Sequence, residues 1–376
     1  MNQRNYKATG INLKAIPMGE ADKMVTVLTK ERGIVRAIAP GARKHKSRLA
    51  GRSGQFVVNE ALYVKGKSID KFVQAETQQS FPGLSKDLAK LTASQYLAEI
   101  ALAQALSDQP QEELYCLLIE HLARLEQANK SDVLPCLAQA TYHLLALAGV
   151  APEVFRCCLS RSPLTPQLGN PEWQVAFSVA SGGAVAPSEI ERLERDRFQE
   201  IEHIEREWRE QRQTAGPQNT TSEAPQDTGR STAQSTAQSA QWQRNLKLKV
   251  SREVSQNLGI VGYLSGAELA LMQQLSKPEL VMTRPLTQLT PQTDRQSGSK
   301  SGTIRTAEPA VRWDSQPSST AAASSAGPHN SAGPHRMWRH IEQFLRQYAQ
   351  YQFDRPIKSA ALIDICFTPP THAARA

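Results

Sequence analysis

Lys23-Met24-Val25-Thr26-Val27-Leu28-Thr29-Lys30-Glu31-Arg32-Gly33-Ile34-Val35-Arg36-Ala37-Ile38-Ala39-Pro40 decides how the first part of this chain folds. Two runs rich in β-branched residues flank Lys30-Glu31-Arg32-Gly33, and a glycine between such runs marks a tight hairpin connection. The pattern predicts strands over 23–30 and 33–40. Outward from them the same texture predicts strands over 7–16, 55–65 and 69–78, the last two joined through Lys65-Gly66-Lys67. Five short strands in so short a stretch suit a small OB-type β-barrel covering residues 1–80.

Charge is concentrated in that segment. The whole chain carries a formal net charge of +8. Residues 1–80 hold fifteen Lys and Arg against six Asp and Glu, a balance of +9 that accounts for the entire excess. No acid stands between Glu31 and Glu60, a stretch that contains Arg32, Arg36, Arg43, Lys44, Lys46, Arg48 and Arg52. Such a block repels itself unless an anion lies against it. Gly41, Gly51 and Gly54 punctuate it, so the expectation is a mobile loop joining the third and fourth strands, able to follow a phosphate backbone without demanding a sequence. Tyr6, Phe56, Tyr63 and Phe72 are the only candidate stacking platforms in the segment, and electrostatics should therefore dominate binding.

After Ser85 the hydrophobic period becomes helical. Leu88, Leu91, Tyr96, Leu97, Ile100, Leu102 and Leu106 are expected to form one buried face, and Leu114, Leu117, Leu118, Leu122 and Leu125 a second. Leu134, Leu137, Tyr142, Leu144, Leu145 and Leu147 form a third, stopped by Gly149 and Pro152. Ser188-Glu189-Ile190-Glu191 has capping-box spacing ahead of a charged, near-heptad helix. Residues 258–275 read as a further helical block, and 337–348 as a final helix. The stretches near 214–241 and 284–334 are Thr, Ser, Gln, Ala and Pro, too polar to offset the entropy of ordering, and are expected to be disordered insertions. The fold class is thus α+β: an N-terminal OB-type barrel (1–80), then an all-helical domain (81–376) interrupted by low-complexity insertions.

Several chemistries are disfavoured. No apolar run reaches the roughly 20 residues needed to span a bilayer, and Met1–Thr9 has no apolar signal core, so a cytoplasmic protein with no membrane association is expected. The five cysteines do not read as a disulfide framework. Gly66-Lys67-Ser68 lacks the glycine and the following helix of a phosphate-binding loop. His121, His143, Ser160 and Ser162 have no partner at the spacing of a triad or metal site. No enzyme activity and no cofactor are expected.

Gly19-Glu20-Ala21-Asp22-Lys23, the run Val25–Thr29 leading to Gly33, Gly41-Ala42-Arg43-Lys44 with Ser47-Arg48, and Gln74-Ala75-Glu76 resemble the RecO family of DNA repair proteins. The resemblance is firm over the first 80 residues and follows the helical pattern to about residue 150. It implies an OB-fold followed by a helical domain, and a nucleoid-associated mediator of recombination. Such a protein binds and anneals single- and double-stranded DNA, contacts RecR and the C-terminal tail of single-strand-binding protein, and assists loading of RecA. The charge of the acid-free stretch makes Arg36, Arg43, Lys44, Lys46, Arg48 and Arg52 the expected phosphate contacts. An RNA-binding or ribosome-associated OB protein, discriminating through the 2′-hydroxyl, is the alternative. Gln104, His121 and Arg124 are, by analogy with the family, a candidate groove for the acidic tail. Many family members carry a four-cysteine zinc site after the third helix. Here Cys157 and Cys158 are adjacent and the segment Ser181–Pro187 has no sulfur, so no structural zinc is expected.

Overall fold

The computed structural model describes residues 4–214, 231–278 and 333–367. The barrel consists of β1 (Asn5–Met18), β2 (Asp22–Thr29), β3 (Gly33–Ala39), the single-turn helix α1 (Leu49–Arg52), β4 (Val57–Val64) and β5 (Asp70–Ser80). The second part contains α2 (Leu88–Gln104), α3 (Glu112–Gln127), α4 (Val133–Leu147), β6 (Gln174–Ser178), β7 (Gly183–Val185), α5 (Pro187–Thr214), α6 (Ser231–Asn257), β8 (Ile260–Ser265), α7 (Gly266–Gln274), α8 (Pro334–Phe353) and α9 (Ala360–Phe367).

All five expected strands are present, and they close in the order β1-β2-β3-β5-β4. Closure depends on β1, whose first half pairs with β4 and whose second half pairs with β2. Gly10 sits where the two ladders overlap, opposite both Thr29 and Asn59. A Cβ there would lie 2.6 Å from the Leu28 carbonyl oxygen, so only glycine lets so sharply bent a strand approach its neighbour. The remaining seam is a short parallel pairing, Ala37 with Asp70 and Ile38 with Lys71.

Gly33 does two jobs in the β2–β3 turn. Its φ of +63° lies in the left-handed region, and the Leu106 carbonyl oxygen would stand 2.0 Å from an added Cβ. That close approach docks the barrel on the helices: Ile34 N–H donates to the Leu106 carbonyl at 2.9 Å, and Gln111 N–H to the Lys30 carbonyl at 2.8 Å. Ile11, Leu13, Leu28, Phe56 and Val58 continue the same apolar cluster into the helical part.

The helical part departs from the expected all-helical domain by one feature. Between its helices lies a three-stranded antiparallel sheet in the order β7-β6-β8, packed through Phe177 on Phe344 and Tyr348. The block at 258–275 is therefore a strand followed by a helix, and the helix is capped by reciprocal bonds between Ser265 and Glu268. In α2 the buried side includes Ala89, Ala93, Ala98 and Ala101 beside Tyr96, Leu97 and Ile100, whereas Leu88, and Leu106 just beyond the helix, are exposed. Asp87 caps this helix, accepting from Ala89 N–H at 2.8 Å and Lys90 N–H at 3.1 Å.

The charged helix read from the capping box is α5, and its partner is α6, held in part by Arg197 to Glu253 at 2.8 Å. Residues 231–241, expected within a disordered insertion, begin α6. The rest of that insertion and nearly all of the second one lie outside the described residues. Met337, Ile341, Phe344, Leu345 and Tyr348 are buried on α8 as expected.

Candidate nucleic-acid interface

The stretch between β3 and β4, expected as a mobile loop, contains the single-turn helix α1 and is hydrogen-bonded to the strands at both ends. At its start Gly41 N–H donates to Asp22 Oδ1 at 2.7 Å, Arg43 N–H to the Ala21 carbonyl at 2.8 Å, and Arg43 Nη1 to the Gly19 carbonyl at 2.5 Å. Ala42 and Leu49 are buried beneath it. At its end two buried asparagines converge on one carbonyl: Asn12 Nδ2 donates to the oxygens of Arg52 (2.7 Å) and Gly54 (2.8 Å), and Asn59 Nδ2 to that of Arg52 (2.9 Å). The segment that carries the cations is thus tied at both ends, so its backbone, unlike its exposed side chains, needs little ordering before an anion arrives.

The Asn12 clamp has a measurable cost. Asn12→Ala removes two part-buried hydrogen bonds, to the Arg52 and Gly54 carbonyls, which are worth about 1–3 kcal/mol together. The urea midpoint should fall in proportion while the m-value stays constant.

Of the six expected phosphate contacts, Arg36, Arg43, Lys44, Lys46 and Arg48 are exposed. Arg52 is half-buried, and its recorded role is structural, through its carbonyl. Among the described residues none of the six is recorded in an ion pair, in contrast to Lys7 with Glu60, Lys30 with Glu112 and Arg32 with Asp108. The six do not form a single cluster. Arg43 to Arg48 occupy the loop, while Arg36 stands on β3 in a row with Thr26 of β2 and Lys14 of β1.

That row opens into a groove of about 700 Å³ between barrel and helices. Its charged lining is Lys14, Arg36, Lys65, Lys67 and Arg355, with Asp70 and Asp108 as the acids. The sequence pattern did not reveal the groove, although period-two alternation along β1 does place Lys14 outward.

The aromatic side chains provide no stacking platform. Phe56, Tyr63 and Phe72 are buried. Tyr6 lines the groove, yet one side of its ring stacks on Tyr63 (centroids 5.3 Å apart) and Arg32 packs over the ring at 4.2 Å. Burial, reinforced by its hydrogen bond to Asp70, holds the Tyr6 phenol well above its usual range, so it stays a donor.

The remaining candidates resolve individually. Gly66-Lys67-Ser68 forms the β4–β5 turn, in which Gly66 N–H donates to Asp70 Oδ1 at 3.0 Å. Cys157 is buried and its Sγ accepts from Ala186 N–H at 3.3 Å. Among the described residues no group of three or more His, Cys, Asp or Glu is arranged to hold a metal. His121 and His143, which sequence spacing left unconnected, face each other with ring nitrogens 3.1 Å apart. Burial, then the neighbouring His143 and Arg124, push His121 down to about 3, so it is neutral at physiological pH. The groove beside Gln104 is lined by Pro110, Gln111, Glu112 and Glu113, and neither His121 nor Arg124 lies along it.

A five-stranded OB-like sheet with an unpaired cationic loop, joined to a mainly helical second part, defines a class of nucleic-acid-binding protein. Comparison with known proteins specifies the class. The family description Recombination protein O N terminal matches residues 1–81, and Recombination protein O C terminal matches residues 85–214. Relatives named DNA repair protein RecO include one from Nostoc sp., 42% identical over 368 residues, and one from Nostoc punctiforme, 44% identical over 367. In both cases the match spans 97% of this chain and 97% of the relative. A RecO from Gloeothece citriformis is 61% identical over 183 residues, 48% of this chain and 65% of that one. The chain belongs to the RecO family, and its role is in DNA repair. Among the described residues no helix is long and apolar enough to cross a membrane.

Proposed function

We propose that this chain is a non-catalytic recombination mediator that binds single- and double-stranded DNA and anneals complementary strands. The observation that carries the reading is the tethered loop: Arg43, Lys44, Lys46 and Arg48 are exposed, close in sequence and without a recorded carboxylate partner. A surface of this kind gains affinity by releasing counterions from phosphates, which favours neither base sequence nor one strand over two. It can hold two strands by their backbones while their bases pair.

Family membership supports the partners: RecR, the C-terminal tail of single-strand-binding protein, and RecA as the protein whose loading is assisted, in the cytoplasm and at the nucleoid. The chain should retain purified RecR and single-strand-binding protein in a pull-down, and lose the second when its tail is deleted. Nuclease and ATPase assays should give no signal.

The test is the pairing rate of two complementary oligonucleotides with and without the full chain, with equal-length RNA as competitor. Faster pairing that DNA inhibits more strongly than RNA supports the reading. No acceleration removes annealing from it, and stronger competition by RNA would make the chain an RNA-binding protein.

A further inference from the structure

We infer that the groove between barrel and helices is the path of a single DNA strand, with Arg355 contributing a phosphate contact from outside the barrel. The inference rests on the DNA-binding reading above and adds to it a strand preference and a residue far from the basic loop in sequence.

Charge is the first reason. The groove's five cations, Lys14, Arg36, Lys65, Lys67 and Arg355, are all exposed and none is recorded in an ion pair among the described residues. Its two acids are already engaged. Asp70 accepts from the Tyr6 hydroxyl and from Gly66 N–H and keeps its charge, whereas Asp108 lies 3.8 Å from Arg32. Five cations against two acids leave the lining net positive, with Arg355 supplying the charge on the helical side.

Shape is the second. The cavity of about 700 Å³ falls within the range of roughly 300–1,000 Å³ that holds small ligands, which suits a few nucleotides of one strand. A duplex, with two backbones to accommodate, is left to the exposed loop of Arg43 to Arg48. Ile16, Met24, Ile34, Leu102 and Ala105 supply apolar wall against which unpaired bases can lie. The Tyr6 ring is already occupied, so any base contact would be aliphatic and tolerant of sequence.

Arg355 is held in place. Helix α8 ends at Asp354 with a φ of +47°, and Arg355 N–H donates to the Gln350 carbonyl at 3.2 Å. Beyond it Ile357 N–H donates to Gln350 Oε1 at 3.0 Å. The Glu99 carboxylate of α2 accepts from Lys358 N–H at 2.5 Å and Ser359 N–H at 3.2 Å. The segment that presents Arg355 is thereby fastened to the helix that forms the groove's far wall.

The experiment titrates the full chain with a fluorescent oligothymidylate and with a blunt duplex of equal length over a range of salt. It compares Arg355→Glu, Lys67→Glu, and the loop variant with Arg43, Lys44, Lys46 and Arg48 replaced by alanine. Each groove variant should bind the single strand roughly tenfold more weakly, with a salt slope smaller by about 0.7 per lost contact, and bind the duplex within about twofold of wild type. Lys67 stands on an exposed turn, so its variant tests the groove even if Arg355→Glu unfolds. Single-strand affinity unchanged in the folded groove variants, or an equal loss for both DNAs, overturns the inference. If only the loop variant loses affinity, the DNA-binding reading stands and the groove path falls; if no variant loses affinity, both fall.

Discussion

Replacing Arg43, Lys44, Lys46 and Arg48 with alanine should lower affinity for single-stranded DNA by about two orders of magnitude at 0.15 M salt. On a single strand each phosphate contact contributes a slope of about −0.7 in log affinity against log salt, so up to four lost contacts flatten the slope by about 2 to 3. Stability should hardly change, because these side chains are exposed and three of them carry no recorded side-chain bond within the protein. Arg43 is the exception, since its Nη1 is tied to the Gly19 carbonyl. Restoring Arg43 to the alanine background should therefore recover less affinity than restoring Arg48. Fluorescence anisotropy over a salt series measures both quantities.

A second large effect concerns stability and pH. Glu342 on α8 is 1% exposed, with Tyr96, Arg346 and Asp364 around it. Burial pushes its carboxyl up to about 7, and Arg346, which pulls the other way, does not prevent it. Arg346 donates to both Asp364 oxygens, at 2.9 and 3.0 Å, and its Nε remains 3.7 Å from Glu342. Between roughly pH 4.5 and 7 the folded chain holds a proton that the unfolded chain has released, so this group makes stability fall as pH rises through that window. A shift from 4.5 to about 7 corresponds to a loss of about 3 kcal/mol once the window is passed. Glu342→Gln should raise the thermal midpoint at about pH 8 by several degrees, with the gain vanishing near pH 5. His121 works in the opposite sense, since its folded value lies below its unfolded one and its contribution is lost as pH falls below about 6.5. Comparing variant and wild type at the same pH cancels that term. An equal effect at both pH values would mean that the carboxyl is not desolvated.

The barrel was legible because its evidence is local. Gly33 between two β-branched runs announces a hairpin, and the fold uses the glycine both for its positive φ and for its contact with Leu106. The parallel seam between β3 and β5 left no trace in the pattern, because two residue pairs joined across some thirty positions have no period of their own. The three-stranded sheet was missed for the same reason. Gln174–Ser178 holds only three apolar residues in a row, Val175-Ala176-Phe177, too short a run to tell strand from buried helix, and its partner Ile260–Ser265 lies more than eighty residues away. The expected leucine stripe failed at Leu88, at the start of α2, and at Leu106, two residues beyond its end, while alanines within α2 are buried.

The site was half legible. Composition located the cations, since an acid-free stretch is visible at once. It could not foresee that the glycines inside the stretch accompany a tethered segment, because the tethers are Asp22, Asn12 and Asn59 on other strands. Asn12, between Ile11 and Leu13, and Asn59, between Val58 and Glu60, look like ordinary strand positions in the sequence; only the fold turns them inward to one carbonyl. The groove depends on Arg355 meeting Lys14 and Lys67, a tertiary event with no sequence signal.

Hydrogen exchange on the full chain, with and without saturating DNA, tests the central claim most directly. The account predicts added protection at the amides of residues 41–52 for single and double strands alike, and at 65–69 for single strands only. Protection confined to α5 and α6, with residues 41–52 exchanging as in the free protein, would contradict it.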